Sequence, residues 1–196
     1  MTSADATETS QVSSQGSLEH HFLLAMPSQI GSYFGDTLIY LCRHNADGAF
    51  GLIVNRTLEL DFADLLRQLN IDLASTVDHP VYAGGPVRDE QGLVLHSDEC
   101  RFPESDPIGN GLCLTLSTDI LSAIGRGEGP RQMLFSLGYA GWGAGQLEDE
   151  LAADAWVAVR ATADLLFDVP SEVRLELAAQ RNGIRLNRLG GHIGRC

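Results

Sequence analysis

Two runs of β-forming residues, Thr37–Arg43 and Ala49–Asn55, stand either side of His44-Asn45-Ala46-Asp47-Gly48, a segment of turn chemistry. So short a link makes the pair an antiparallel hairpin. Similar spacing recurs. His20–Met26 reads as a strand stopped by Pro27. Pro80–Ala83 and Gly92–Ser97 read as strands, with Arg88–Gln91 as a turn between them. Leu112–Leu116, Arg131–Tyr139 and Ala155–Val159 complete the set. Short helices interrupt it. Asp61 is placed to cap a helix whose Phe62, Leu65, Leu66 and Leu69 form one apolar stripe. Thr118 opens a second at Asp119–Ile124, Gln146–Ala153 is a third, and Ser171 caps a last helix with Gly183 past its end. This is not a regular βαβ alternation. The pattern predicts a single α+β domain with a mixed, largely antiparallel sheet and short interspersed helices.

A chain of 196 residues is about one domain. Residues 1–17 are rich in Ser, Thr, Gln and Ala and read as a disordered tail. They lack a positive n-region and an apolar h-region, so no secretory signal is expected. No apolar run approaches a membrane span. Cys42, Cys100, Cys113 and Cys196 show no CxxC spacing and read as reduced thiols, Cys42 and Cys113 as buried ones. A cytoplasmic protein with no metal site and no cofactor is the expectation. Domain limits are set at 18–183, followed by a flexible Arg-bearing tail at 184–196.

The formal net charge is −13, which disfavours direct DNA binding. Ser171–Cys196 reverses the sign: five arginines against two acids make it +3, leaving −16 for the remainder. A solvated helix and tail is the plainer reading; if any surface attracts an acidic partner, it is this C-terminal one. No lysine occurs; all thirteen basic residues are arginine. Schiff-base chemistry, a lysine general base and a phosphate-loop lysine are thereby excluded.

Three constellations invite a chemical reading. Gly138–Glu148 runs from a strand through a glycine-rich turn, Gly141–Gly145, into a helix, as anion sites do. It matches neither GxGxxG nor a phosphate loop, and Glu148, Asp149 and Glu150 at the helix start would repel phosphate. A structural turn is favoured over a ligand site, with Tyr139 and Trp142 as packing or cleft-wall residues. Asn55-Arg56 follows an apolar strand; Arg56 could hold an anion, though a strand-end salt bridge is the plainer reading. His96-Ser97-Asp98 resembles a triad only in order, because neighbours on a strand point to opposite faces. The GxSxG elbow is absent. His20, His21, His44 and His192 read as exposed or structural.

The segments Phe22–Pro27, Thr37–His44, Gly48–Arg56, Tyr82–Val87, Leu95–Ser97 and Gly138–Glu148, in this order, resemble the AlgH/YqgE family of bacterial proteins. The likeness spans about residues 19–168. It implies an α+β fold and no agreed enzymatic activity; some members carry the label of transcriptional regulator. It also marks Asn55, Arg56, Gly85, Pro86, His96, Tyr139, Trp142 and Gln146 as positions to test. Two departures stand out: Gly31-Ser32 where Asp-Pro is usual, and Asn55-Arg56-Thr57 where Asn-Arg-Pro is usual.

The leading expectation is a non-enzymatic regulatory or interaction protein that works through an unknown protein or small-molecule partner. The alternative is a small-molecule (anion or metabolite) binder or enzyme with a cleft around Asn55, Arg56, His96, Tyr139 and Trp142.

Overall fold

The computed structural model describes residues 16–74 and 77–186. Residues 1–15 of the tail expected at 1–17, and the segment 187–196 with Arg188, His192, Arg195 and Cys196, lie outside the described residues.

Nine strands are described: β1 His21–Ala25, β2 Leu38–Asn45, β3 Gly48–Ile53, β4 Val81–Ala83, β5 Val87–Ser97, β6 Ser105–Gly109, β7 Leu112–Thr115, β8 Met133–Gly143 and β9 Trp156–Arg160. Four α-helices join them: α1 Phe62–Gln68, α2 Thr118–Gly125, α3 Gln146–Ala152 and α4 Ser171–Arg181. Pro27–Gln29 is a 3₁₀ turn and Asp164–Asp168 a π-helical turn. The sheet runs β6-β7-β5-β8-β3-β2-β1-β9, with β4 alongside β8. Every pair is antiparallel except β4 with β8. The α+β class with a mixed, largely antiparallel sheet is thus observed.

The sheet is curled. Strands β2 and β6 stand five places apart, about 24 Å on a flat sheet. Yet Arg43 of β2 and Asp106 of β6 form an ion pair. Period-two alternation sorts side chains between the two faces. Phe22, Leu24, Leu38, Tyr40 and Leu52 point to the face that packs against Leu175, Ala178 and Ala179 of α4. Leu23, Ile39, Leu41 and Trp142 point the other way, toward Leu147 of α3. Val81, Val94 and Phe135 meet α1 and α2 in a third cluster. Arg174 fastens α4 inside the curl. It is 2% exposed, donates from Nη1 to Val54 O (2.6 Å) and from Nε to Val169 O (2.8 Å), and lies over the Tyr82 ring.

Several local expectations shift. The hairpin link is shorter than the turn chemistry indicates, because β2 and β3 pair as far as Asn45 and Gly48. Arg88–Gln91 belongs to β5, where the pairing register with β8 breaks between Val87 and Gly92. The supposed glycine-rich turn is mostly strand, since β8 continues to Gly143 and only Ala144-Gly145 separates it from α3. Ser117, not Thr118, precedes α2, and Pro170, not Ser171, precedes α4; neither makes a side-chain capping bond. The Asp61 cap forms as expected, its side chain accepting from Asp64 N. Strand β6 escaped the reading because Pro107 demotes the run; its place at the sheet edge is where proline is tolerated. Apolar contact with the core extends past Gly183 through Ile184 and Leu186.

Candidate functional site

The eight residues singled out from the sequence fall into four places. Asn55 and Arg56 lie just past β3 and hold the loop that precedes β2. Asn55 Oδ1 accepts from Leu38 N (2.7 Å) and Nδ2 donates to Asp36 O (2.9 Å). Arg56 donates to the carbonyls of Tyr33 and Gly35 and stands over the Tyr33 ring. Its fork thus meets backbone oxygens and makes no salt bridge among the described residues.

That loop lays Phe34 against the second place. Phe34 stacks on Trp142 at 6.4 Å and meets Trp156 edge-on at 5.6 Å. Both indole N–H groups donate to one carboxylate oxygen, Glu150 Oε2, at 2.9 and 2.7 Å. Gln146 donates to the other oxygen at 2.9 Å and accepts from Gly143 N. Asn55, Arg56, Trp142 and Gln146 are therefore joined through the loop, but by contacts already satisfied.

Gly85, Pro86 and Tyr139 occupy the third place, where β8 passes from pairing with β4 to pairing with β3. Gly85 has φ +155°, and a Cβ there would fall 2.1 Å from the Tyr139 carbonyl carbon. Tyr139 packs on Phe50, and Pro86 is exposed.

His96 is the fourth place, fully buried on the β5–β7 ladder. Its Nδ1 lies 2.8 Å from Ser97 O, which only accepts, so Nδ1 carries the proton. Nε2 then accepts from Thr115 Oγ1 (2.8 Å), which accepts in turn from Ser105 Oγ (2.7 Å). Burial lowers the His96 pKa and favours this neutral ring. Ser97 Oγ turns to Gln132 instead, so the His96-Ser97-Asp98 order makes no triad.

His44 is buried rather than exposed in a turn: its Nδ1 accepts from Leu18 N, so Nε2 donates to Glu148 Oε1 at 2.8 Å. Cys42 and Cys113 are buried free thiols, and burial raises both pKa values. Among the described residues no three His, Cys, Asp or Glu side chains converge as metal ligands. None of the described helices is long and apolar enough to cross a membrane.

A pocket of about 140 Å³ opens elsewhere, between the start of β1, the β6–β7 turn, the end of β5 and the chain after β9. Its polar wall includes His20, Tyr40, Ser97, Asn110, Gln132 and Thr162; Leu112, Leu166 and Phe167 supply apolar surface. His20 has φ +61°, rare for a residue with a side chain. Two backbone bonds hold it there, His20 N to Leu41 O and Ala161 N to His20 O. Its Nδ1 meets Tyr40 Oη at 2.8 Å. Burial first, and the neighbouring Cys42 second, push the Tyr40 pKa up, so the phenol keeps its proton. In the neutral ring Tyr40 donates to Nδ1 and Nε2 carries the hydrogen. No Asp, Glu or Arg lines the pocket. Its wall is drawn from segments scattered between residues 20 and 167, so no local motif marks it. The one available signal was the adjacent pair His20-His21.

The AlgH-like family model matches residues 22–187. The chain is similar to a UPF0301 protein of Pseudomonas putida, 49% identical over 90% of this chain and 95% of that one. It is also similar to a UPF0301 protein of Cupriavidus metallidurans, 42% identical over 90% and 94%. The solution structure of the AlgH protein from Pseudomonas aeruginosa superposes with a TM-score of 0.74 at 40% identity, covering 97% of this chain and all of that one. A crystal structure from Corynebacterium diphtheriae, at 16% identity and a TM-score of 0.64, covers 82% and 85% and shares the fold. The chain belongs to the AlgH-like family.

Proposed function

We propose that this chain is a non-enzymatic regulatory protein that works by binding a small molecule in the His20–Tyr40 pocket. One observation carries the reading: uncharged polar groups from distant segments converge on a concave site whose central histidine is held at a positive φ. The residues that looked catalytic are committed to internal bonds, which supports a binding role over an enzymatic one. Net charge −13 supports action through a partner or ligand over direct grip on DNA. The free thiols Cys42, Cys100 and Cys113 support a reducing, cytoplasmic setting.

A thermal-shift screen of uncharged fragments tests this, with Ala163→Trp as the blocked control. Ala163 is exposed on the pocket rim, so the variant fills the mouth without disturbing the core. A fragment at a hundred times its Kd adds about 2.7 kcal/mol to the native state. The expected hits lose their effect in Ala163→Trp. Hits that survive the block, or the lack of any, would refute the reading.

A further inference from the structure

We infer that the pocket takes an uncharged, planar, single-ring molecule with a lactam edge, an N–H beside a C=O, of which a free pyrimidine base is one example. This rests on the binding reading above.

Size comes first. A cavity of about 150 Å³ holds one benzene ring. At about 140 Å³ this pocket matches one six-membered ring, and a larger molecule would have to project from its mouth. Charge comes second. No Arg, Asp or Glu stands on the wall and the chain has no lysine, so a phosphate or carboxylate would meet no permanent counter-charge, only the His20 imidazole.

Hydrogen bonding narrows the class further. Ser97 Oγ is engaged with Gln132 backbone atoms, and Tyr40 with His20. Gln132 and Asn110 both line the pocket, and their side-chain amides make no hydrogen bond to another described residue. A primary amide offers one acceptor and two donors side by side. Its complement is a group with a donor next to an acceptor, which a lactam presents on one edge. The His20 ring adds a further polar surface to the wall. Leu112, Leu166 and Phe167 give the ring faces apolar contact.

Isothermal titration of the full chain with a ring series tests the class. Uracil and 2-pyridone are expected to bind. Their N-methylated forms, which keep the ring and lose the N–H, are expected to bind at least roughly tenfold more weakly. Uridine 5′-monophosphate is expected to bind more weakly than uracil, which separates a free base from a nucleotide. Gln132→Leu is expected to remove the difference between uracil and its dimethyl form, and Asn110→Gly, which suits the φ of +52° at that turn and removes the amide, provides the same readout if the first variant folds poorly. Equal binding of methylated and unmethylated rings would overturn the lactam class while leaving the pocket reading intact. Absence of binding by every ring, with fragments of other kinds still blocked by Ala163→Trp, would overturn it as well. Absence of all pocket binding overturns both.

Discussion

Glu150→Ala tests the bond pattern that absorbs two of the residues marked from sequence. Glu150 Oε2 accepts from both indoles, and Trp142 and Trp156 are 6% and 2% exposed. Removing the carboxylate strands two buried N–H donors, each costing about 1–3 kcal/mol. Glu150 is only half-buried, so water relieves part of that loss, and the expected destabilisation is about 2–4 kcal/mol. With a urea slope of about 2 kcal/mol/M, the midpoint falls by about 1–2 M. The bond from Gln146 adds little because that residue is exposed. Glu150→Gln keeps one acceptor and should lose about half as much. The assay is urea unfolding followed by tryptophan fluorescence. Trp142 and Trp156 are the chain's two tryptophans, so the signal comes from this cluster. A midpoint shift below about 0.3 M for Glu150→Ala would refute the reasoning. So would equal losses in the Ala and Gln variants.

Three further outcomes follow from the same geometry. Gly85→Ala places a Cβ 2.1 Å from a backbone carbon and should cost at least about 3 kcal/mol, roughly 8 °C in Tm; Gly145→Ala, with open space at φ +75°, should cost about 1 kcal/mol by the same melting assay. Arg174→Met leaves Val54 O and Val169 O without their buried donor and should cost about 2–4 kcal/mol, read as faster amide exchange in α4 than in β2 and β3. The pKa of His96 is lowered from 6.5 by burial, so the unfolded chain binds the proton first as pH falls. Its contribution to stability is therefore complete above pH 6.5 and is lost as pH drops toward its folded value. His79, also lowered by burial, adds a slope of the same sign, so the check is an imidazole titration by NMR in which His96 titrates below the ordinary histidine range.

The fold was largely legible because its signals are local. The continuous apolar runs of β1 and β2, the Asp61 cap and the hairpin link all act within a few residues. Strand ends were less legible. Cross-strand pairing, and not propensity, carries β2 through Asn45 and β8 through Gly143. The site was harder still. Asn55, Arg56 and Trp142 stand out by residue type, yet Asn55 and Arg56 find their partners 19 and 23 residues away, at Asp36 and Tyr33, and Trp142 shares Glu150 with Trp156. Asn110 and Gln132 carry no composition signal, and only the curl of the sheet sets them beside His20. Sequence spacing does not encode a meeting produced by the sheet's curvature.

The most direct test of the central claim is a nuclear magnetic resonance titration with uracil, following the side-chain amides of Asn110 and Gln132 and the His20 ring. Saturable shifts of these three are expected, with Asn55, Trp142 and the buried His96 unmoved. Shifts centred on Trp142 and Gln146, with His20 and Gln132 silent, would contradict it.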